Sequence, residues 1–297
     1  DHLRLDDAET LEVLEALKPF GGTLCVHCEN GTLVDALQKR VYEAGIHGPE
    51  GHPLSRPAEC EAEAVSRLLY LAHLAGDARV NVVHLSTKLG LEAIRAAKAR
   101  GQKNIFVETC PQYLLLDDTC FTRRGEDGLE GLEFVMSPPP RKPSDRAALR
   151  QALLNGEIDT IATDHCSFNL HGQKDRGVDD FRAVPNGGAG VEHRPELIAT
   201  TFEGQLGPTD LCRLMSENPA RVFGMWPRKG CLAEGSDADV CVWDPSVEWT
   251  ISAKTQHQNV DHTPYEGFVC HGRARLTYVN GVLAARDGEP TGATPGT

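Results

Sequence analysis

The sequence contains no run of eighteen apolar residues, which excludes an ordinary single-pass membrane helix. Its start, Asp1-His2-Leu3-Arg4-Leu5-Asp6-Asp7, is polar and acidic, unlike a signal peptide. An initiator Met is also missing, as expected of a processed, trimmed or partial chain. Positive charge is in deficit. Lys and Arg number 30 against 43 Asp and Glu, a net charge of −13. That balance argues against nucleic acid or an anionic membrane surface as partner. No internal repeat or low-complexity block interrupts the chain. The glycine fingerprint that binds dinucleotide phosphates is absent, and so is the Lys-Ser/Thr that closes a phosphate loop.

What remains is the composition expected of an ordinary soluble globular protein, 40% hydrophobic and 25% charged over 297 residues, enough for one large domain or two ordinary ones. Ten cysteines are spread along the chain, several inside apolar runs such as Leu24-Cys25-Val26 and Val240-Cys241-Val242. They read as buried free thiols in a reducing cytosol rather than a disulfide framework. Asn30-Gly31-Thr32 is then a chance match to a glycosylation acceptor.

Short apolar runs alternate with helical patterns over the first two-thirds. Strands are predicted at 23–27, 80–86, 104–109, 134–137 and 160–164, with helices at 58–75, 88–100 and 144–154. Such runs, separated by helices, indicate a parallel sheet covered on both faces. Further helices are predicted at 195–203, 209–216 and 219–224. Beyond about residue 230 the texture becomes β-rich, with strands at 238–243, 247–251, 269–273 and 276–279. Asn280-Gly281 then predicts a hairpin turn into a strand at 282–285. The expected fold is α/β: residues 1–230 form part of a (β/α)8 barrel and 231–288 part of a small β-sandwich. The Gly/Pro/Thr-rich tail, 289–297, is expected to be disordered. Five strands are fewer than the eight of a closed barrel, so the barrel is expected to be incomplete.

Polar residues recur where strands end. His27 follows Leu24-Cys25-Val26, His84 and Ser86 follow Val82-Val83, Glu108 follows Ile105-Phe106-Val107, and Asp164 follows Ile161-Ala162-Thr163. The C-terminal ends of parallel strands are where barrels and open sheets place their ligands. A metal that activates water needs imidazoles and carboxylates converging from different strands, and His27, His84 and Asp164 fit that plan. Equally, each His could be a satisfied buried residue. Cys25-Val26-His27-Cys28 lacks the second pair of a structural zinc site. In Thr163-Asp164-His165-Cys166, adjacent side chains face opposite sides of the strand, so Asp164 and His165 form no dyad by adjacency. Ser137-Pro138-Pro139-Pro140 reads either as a rigid turn or as a backbone held for a ligand. Pro185-Asn186-Gly187-Gly188-Ala189-Gly190 reads as a connector or as a close backbone approach to a small polar ligand. His47, His52, His171, His193, His257, His262 and His271 read as surface or structural.

Several of these blocks resemble the dihydropyrimidinase/hydantoinase family of amidohydrolases. They are Val26-His27-Cys28-Glu29-Asn30-Gly31, Val83-His84-Leu85-Ser86, Val107-Glu108-Thr109-Cys110-Pro111-Gln112-Tyr113-Leu114, Ser137-Pro138-Pro139, Ala162-Thr163-Asp164-His165-Cys166, Pro185-Asn186-Gly187 and Gly190-Val191-Glu192. Asn218-Pro219-Ala220-Arg221 and Gly235-Ser236-Asp237-Ala238-Asp239-Val240 match the wider group. The resemblance runs from about residue 3 to about residue 288. It implies two zinc ions, one held by His27 and His84 and the other by Asp164, which also shuttles the proton. The backbones of Ser137 and Asn186 would grip a cyclic amide or imide ring, opened by a metal-bridging hydroxide. It further implies a small-molecule substrate and a homotetramer.

The family's His-x-His pair, the carboxylated Lys that bridges its metals, and its substrate-side Tyr have no counterpart here. By the resemblance, the Lys would fall about thirty residues before His27, upstream of Asp1. This chain alone is therefore expected to be inactive. Collapsin response mediator proteins, non-catalytic scaffolds of the same fold, are the alternative reading, with allantoinase and dihydroorotase as enzymatic alternatives.

Overall fold

The computed structural model describes residues 4–294. The chain forms two compact units. One comprises Asp1–Val191 with Gln258–Pro264, and the other Glu192–His257 with Tyr265–Thr297.

The first unit is built on a parallel sheet of β1 (Thr23–Val26), β2 (Arg79–Val82), β3 (Ile105–Thr109) and β4 (Thr160–Ile161), paired in that order. Its register sets Leu24 beside Val80 beside Ile105, and Val26 beside Val82 beside Val107. Side chains alternate faces along a strand, so these aliphatic residues share one face. Helix Ala58–Leu74 packs against β2 and against helix Lys88–Ala99. Each helix buries a stripe at helical spacing, Val65, Leu68, Leu69 and Ala72 on the first and Leu91, Ile94 and Ala97 on the second. The opposite face of the sheet is polar. Asn81 Nδ2 lies 3.8 Å from Cys25 Sγ and 3.5 Å from Glu108 Oε2, and Thr160 Oγ1 lies 3.3 Å from Glu108 Oε2. One face of the sheet is thus aliphatic, and the other carries a cross-strand polar ladder.

Four strands form this sheet among the described residues, not five. Residues 134–137 are not a strand. Phe134, Val135 and Met136 are buried in a loop after the short helix Glu130–Glu133, and side chains donate to the carbonyls of Val135 and Met136 in place of a neighbouring strand. The strands predicted at 80–86 and 160–164 stop earlier, at Val82 and Ile161, leaving His84 and Asp164 on the turns that follow. Two helices of more than ten residues went unpredicted. Asp7–Leu17 opens with a capping box between Asp6 and Glu9, and Asn30 caps Gly31–Glu43 by accepting from Leu33 N at 3.1 Å.

In the second unit, helix Arg194–Thr201 packs on an antiparallel sheet of β5 (Val240–Thr250), β6 (Val269–Val279), β7 (Val282–Arg286) and β8 (Glu289–Pro290). The runs predicted at 238–243 and 247–251 are one strand, β5, whose register shifts between Asp244 and Glu248 around Pro245. Asn280 and Gly281 have φ of 50° and 78°, the two left-handed residues of the expected hairpin turn. The tail expected to be disordered begins as β8, paired with Ala285 and Arg286, while residues 295–297 lie outside the described residues. No helix among the described residues is long and apolar enough to cross a membrane. None of the ten cysteines is in a disulfide among the described residues. Five are buried, but Cys25, Cys212 and Cys241 are exposed.

Candidate functional site

His27 leaves the end of β1 and His84 the turn after β2, and the parallel pairing of these strands brings the two rings together. His27 Nδ1 lies 2.9 Å from His84 Nε2, with the rings edge-on at 68°. His27 is half-exposed and His84 buried. Burial first, and then the neighbouring His27, push His84 down to about 3, so its ring is neutral at physiological pH. A neutral imidazole is the form that binds metals.

The other nitrogen of His27, Nε2, meets Glu29 Oε2 at 3.1 Å. Glu29 is in turn ion-paired with Arg56, and Arg141 Nη2 lies 3.6 Å from its second oxygen. Burial acts to raise Glu29, but the His27 hydrogen bond and the two guanidinium groups outweigh it and hold the carboxyl at about 2. A carboxylate on the far nitrogen fixes the tautomer and ring orientation of a ligating His. Arg141 also donates from Nε to Ser86 Oγ at 2.9 Å. Ser86 and Thr87 are held by Glu61, which accepts from both backbone N–H groups, at 2.9 and 2.8 Å.

Asp164 stands just beyond β4, partly buried. Burial raises its carboxyl, and the nearby His27 imidazole partly opposes that rise. His84 and Asp164 both adopt left-handed backbone, with φ of 42° and 49°. A residue with a Cβ is strained there by about 1–2 kcal/mol. The same conformation therefore recurs at both turns, where strained residues often accompany function.

Ser137 and Asn186 come together from distant segments, Ser137 Oγ donating to Asn186 Oδ1 at 3.1 Å. The loop carrying Asn186 is tied to the end of the Asp164 turn. His165 bridges to Gly188, Cys166 N donates to Gly188 O at 3.1 Å, and Gly190 N donates to His165 Nδ1 at 3.1 Å. Tyr113 OH donates to Pro138 O at 2.8 Å, and Gln112 Nε2 to Thr163 O at 3.2 Å.

Sequence reasoning passed over Glu29, Arg56 and Arg141 as actors. Glu29 stood in a recognised segment, but the arginines lie far along the chain from it. Lys174 and His52 were also passed over. Both are fully or almost fully buried, and both bond to carbonyls just before Ser137.

The donor set answers in part for a metal. Zinc–imidazole bonds are about 2.0–2.1 Å. One ion bonded to both facing nitrogens at these lengths would subtend an angle of about 90° at their 2.9 Å separation. A separation a few tenths of an ångström wider would reach the tetrahedral angle. Among the described residues, however, no group of three His, Cys, Asp or Glu is placed to hold an ion. His27 and His84 fit two ligand positions of a metal centre, and Asp164 does not join them in a three-ligand cluster.

The model of the amidohydrolase family matches residues 5–284. A D-phenylhydantoinase of Escherichia coli O81 (strain ED1a) is 41% identical over 291 residues, 97% of this chain and 62% of that protein. Among solved structures, the dihydropyrimidinase from Brevibacillus agri NCHU1002 superposes with a TM-score of 0.93 at 38% identity, covering 97% of this chain and 62% of the other. The L-hydantoinase (dihydropyrimidinase) from Arthrobacter aurescens gives 0.87 at 32%, covering 96% and 62%. The chain thus spans about 62% of the length of the relatives it matches.

Proposed function

Because the chain belongs to the amidohydrolase family, we propose that this protein hydrolyses a cyclic amide or imide ring, a dihydropyrimidine or hydantoin, to an N-carbamoyl amino acid. The observation that carries this reading is the convergence of His27 and His84 at the ends of adjacent parallel strands, with Asp164 on the same rim.

His27 Nδ1 and His84 Nε2 would supply two ligands to zinc, with the others coming from residues this sequence does not contain. When bound, the metal lowers the pKa of water and polarises the ring carbonyl. Glu29 keeps His27 Nδ1 turned toward that point by engaging Nε2. The Asp164 carboxylate accepts the proton of the attacking water and delivers it to the departing ring nitrogen, acting first as base and then as acid. A partly buried carboxyl with a raised pKa suits both halves of that transfer. The backbones of Ser137 and Asn186 orient the ring, and their side chains meet, Ser137 Oγ donating to Asn186 Oδ1. A non-catalytic scaffold is not favoured, since the relatives carry the names of enzymes and both imidazoles and the carboxylate are present.

One experiment tests the assignment. Dihydrouracil hydrolysis is compared for the natural full-length enzyme, its Asp164→Ala variant and the 297-residue polypeptide. The variant should lose roughly a thousandfold or more in kcat, with substrate binding within a few-fold. The 297-residue polypeptide should be inactive. Near-normal turnover by Asp164→Ala refutes the proton-transfer role, and turnover by the shorter polypeptide refutes the need for further ligands.

A further inference from the structure

Lys174 is a lysine with no contact to water. It opens a short turn, Lys174–Gly177, and its side chain is fully buried. Burying an ammonium group is among the more expensive choices a fold can make, and a Met would fill the same volume without that cost. Its partners are carbonyl oxygens. Nζ donates to Val135 O at 2.8 Å and to Pro185 O at 3.0 Å.

These two carbonyls flank the pair that comes together across the site. Val135 stands two residues before Ser137, and Pro185 directly precedes Asn186. Neighbouring bonds strengthen the same junction. Gly187 N donates to Val135 O at 3.0 Å, and His52 Nε2 donates to Met136 O at 2.8 Å. Neither segment belongs to a strand, so no ladder fixes their distance. Among the described residues, Lys174 Nζ bonds a backbone carbonyl of each.

We infer that Lys174 is a positioning residue for the ring-binding backbone: its amine clamps the loop of Ser137 to the loop of Asn186 and sets their spacing. This rests on the reading that those two backbones hold the ring. It assigns substrate affinity to a side chain that touches no substrate. Losing one or two hydrogen bonds to the ring, at about 1 kcal/mol each, weakens binding about fivefold to thirtyfold.

The test uses the full-length, metal-loaded enzyme and its Lys174→Met variant, which keeps the volume and loses both donors. With hydantoin as substrate, KM should rise about fivefold or more while kcat stays within about threefold. Unchanged metal content would show that the metal site is intact. A structural role alone would instead lower kcat through loss of folded enzyme and leave KM as it was; that result overturns the inference, as do wild-type values of both constants. If Lys174→Met gives no soluble protein, Lys174→Gln, which retains an N–H2 donor, is read by the same split. It should show the same direction with a smaller rise in KM, and an unchanged KM overturns the inference. A crystal structure of the wild-type enzyme with N-carbamoylglycine separates the two layers. Product bound away from Ser137 and Asn186 refutes the ring-binding reading itself. Product bound between them, with an unchanged KM in the variants, refutes only the role of Lys174.

Discussion

Lys174 also makes a prediction about stability, independent of substrate. Burial depresses its amine from the usual 10.5 to about 7. The folded state therefore releases the proton about 3.5 units before the unfolded chain does. Between those two values the unfolded state binds more protons, so stability rises with pH. At one unit per 1.36 kcal/mol, the charged amine costs the fold about 4 kcal/mol at pH 7 and about 1 kcal/mol at pH 9.5. Lys174→Met removes that penalty. It also removes two hydrogen bonds, worth about 2 kcal/mol, and leaves Pro185 O without this donor, a further 1–2 kcal/mol or so. Variant and wild type should then be nearly equally stable at pH 7, with the wild type ahead by about 3 kcal/mol at pH 9.5. In a unit of this size that separation is roughly 6–12 °C in Tm. Scanning calorimetry of both proteins from pH 6.5 to 9.5 reads it directly, because every other titration cancels in the difference. Parallel Tm curves would refute the buried-amine argument.

Two further outcomes follow from the same chemistry. Glu196 is buried, its Oε2 has no hydrogen-bond partner among the described residues, and burial raises its carboxyl to about 7, so the folded state holds its proton more tightly than the unfolded chain. That contribution is complete below pH 4.5 and lost as pH rises through 7; Glu196→Gln should stabilise the protein by about 1–3 kcal/mol at pH 8 and hardly at all at pH 4.5, and equal gains at both in urea unfolding would contradict it. Gly187 has φ of 142°, and an added Cβ would stand 2.2 Å from Cys166 Cβ. Gly187→Ala should therefore lose about 2 kcal/mol or more and weaken substrate binding, with Cys166→Gly in the same chain recovering part of the loss; wild-type stability in the single variant would show that the loop tolerates the shift.

Much of this was legible because it depends on local pattern. The helix at Lys88–Ala99 repeats apolar residues at helical spacing, and Asn280-Gly281 supplies the two left-handed residues a tight hairpin needs. The placement of His27 and His84 was legible once strands were drawn, since a parallel sheet brings successive strand ends to one edge. Phe134-Val135-Met136 was misread because a short apolar run is compatible with any buried backbone. Here the hydrogen bonds come from Lys174, His52 and Gly187, contacts from far along the sequence that no local pattern announces. Glu29, Arg56 and Arg141 were hidden for the same reason: their ion pairs join residues 27 and 112 positions apart. The helix Asp7–Leu17 is a different kind of miss, since the Asp6-x-x-Glu9 capping signal was present to be read.

The two left-handed residues bear on anyone who would evolve this protein. His84 and Asp164 occupy backbone that Gly or Asn adopts with less strain. A library sorted by heat resistance alone would therefore enrich Gly and Asn at these positions and score them as improvements. Such a campaign would move steadily toward a sturdier protein that lacks the imidazole and carboxylate of the proposed chemistry. Heat selection on this scaffold has to be paired with a turnover screen in every round, or else the codons for 84 and 164 must be locked.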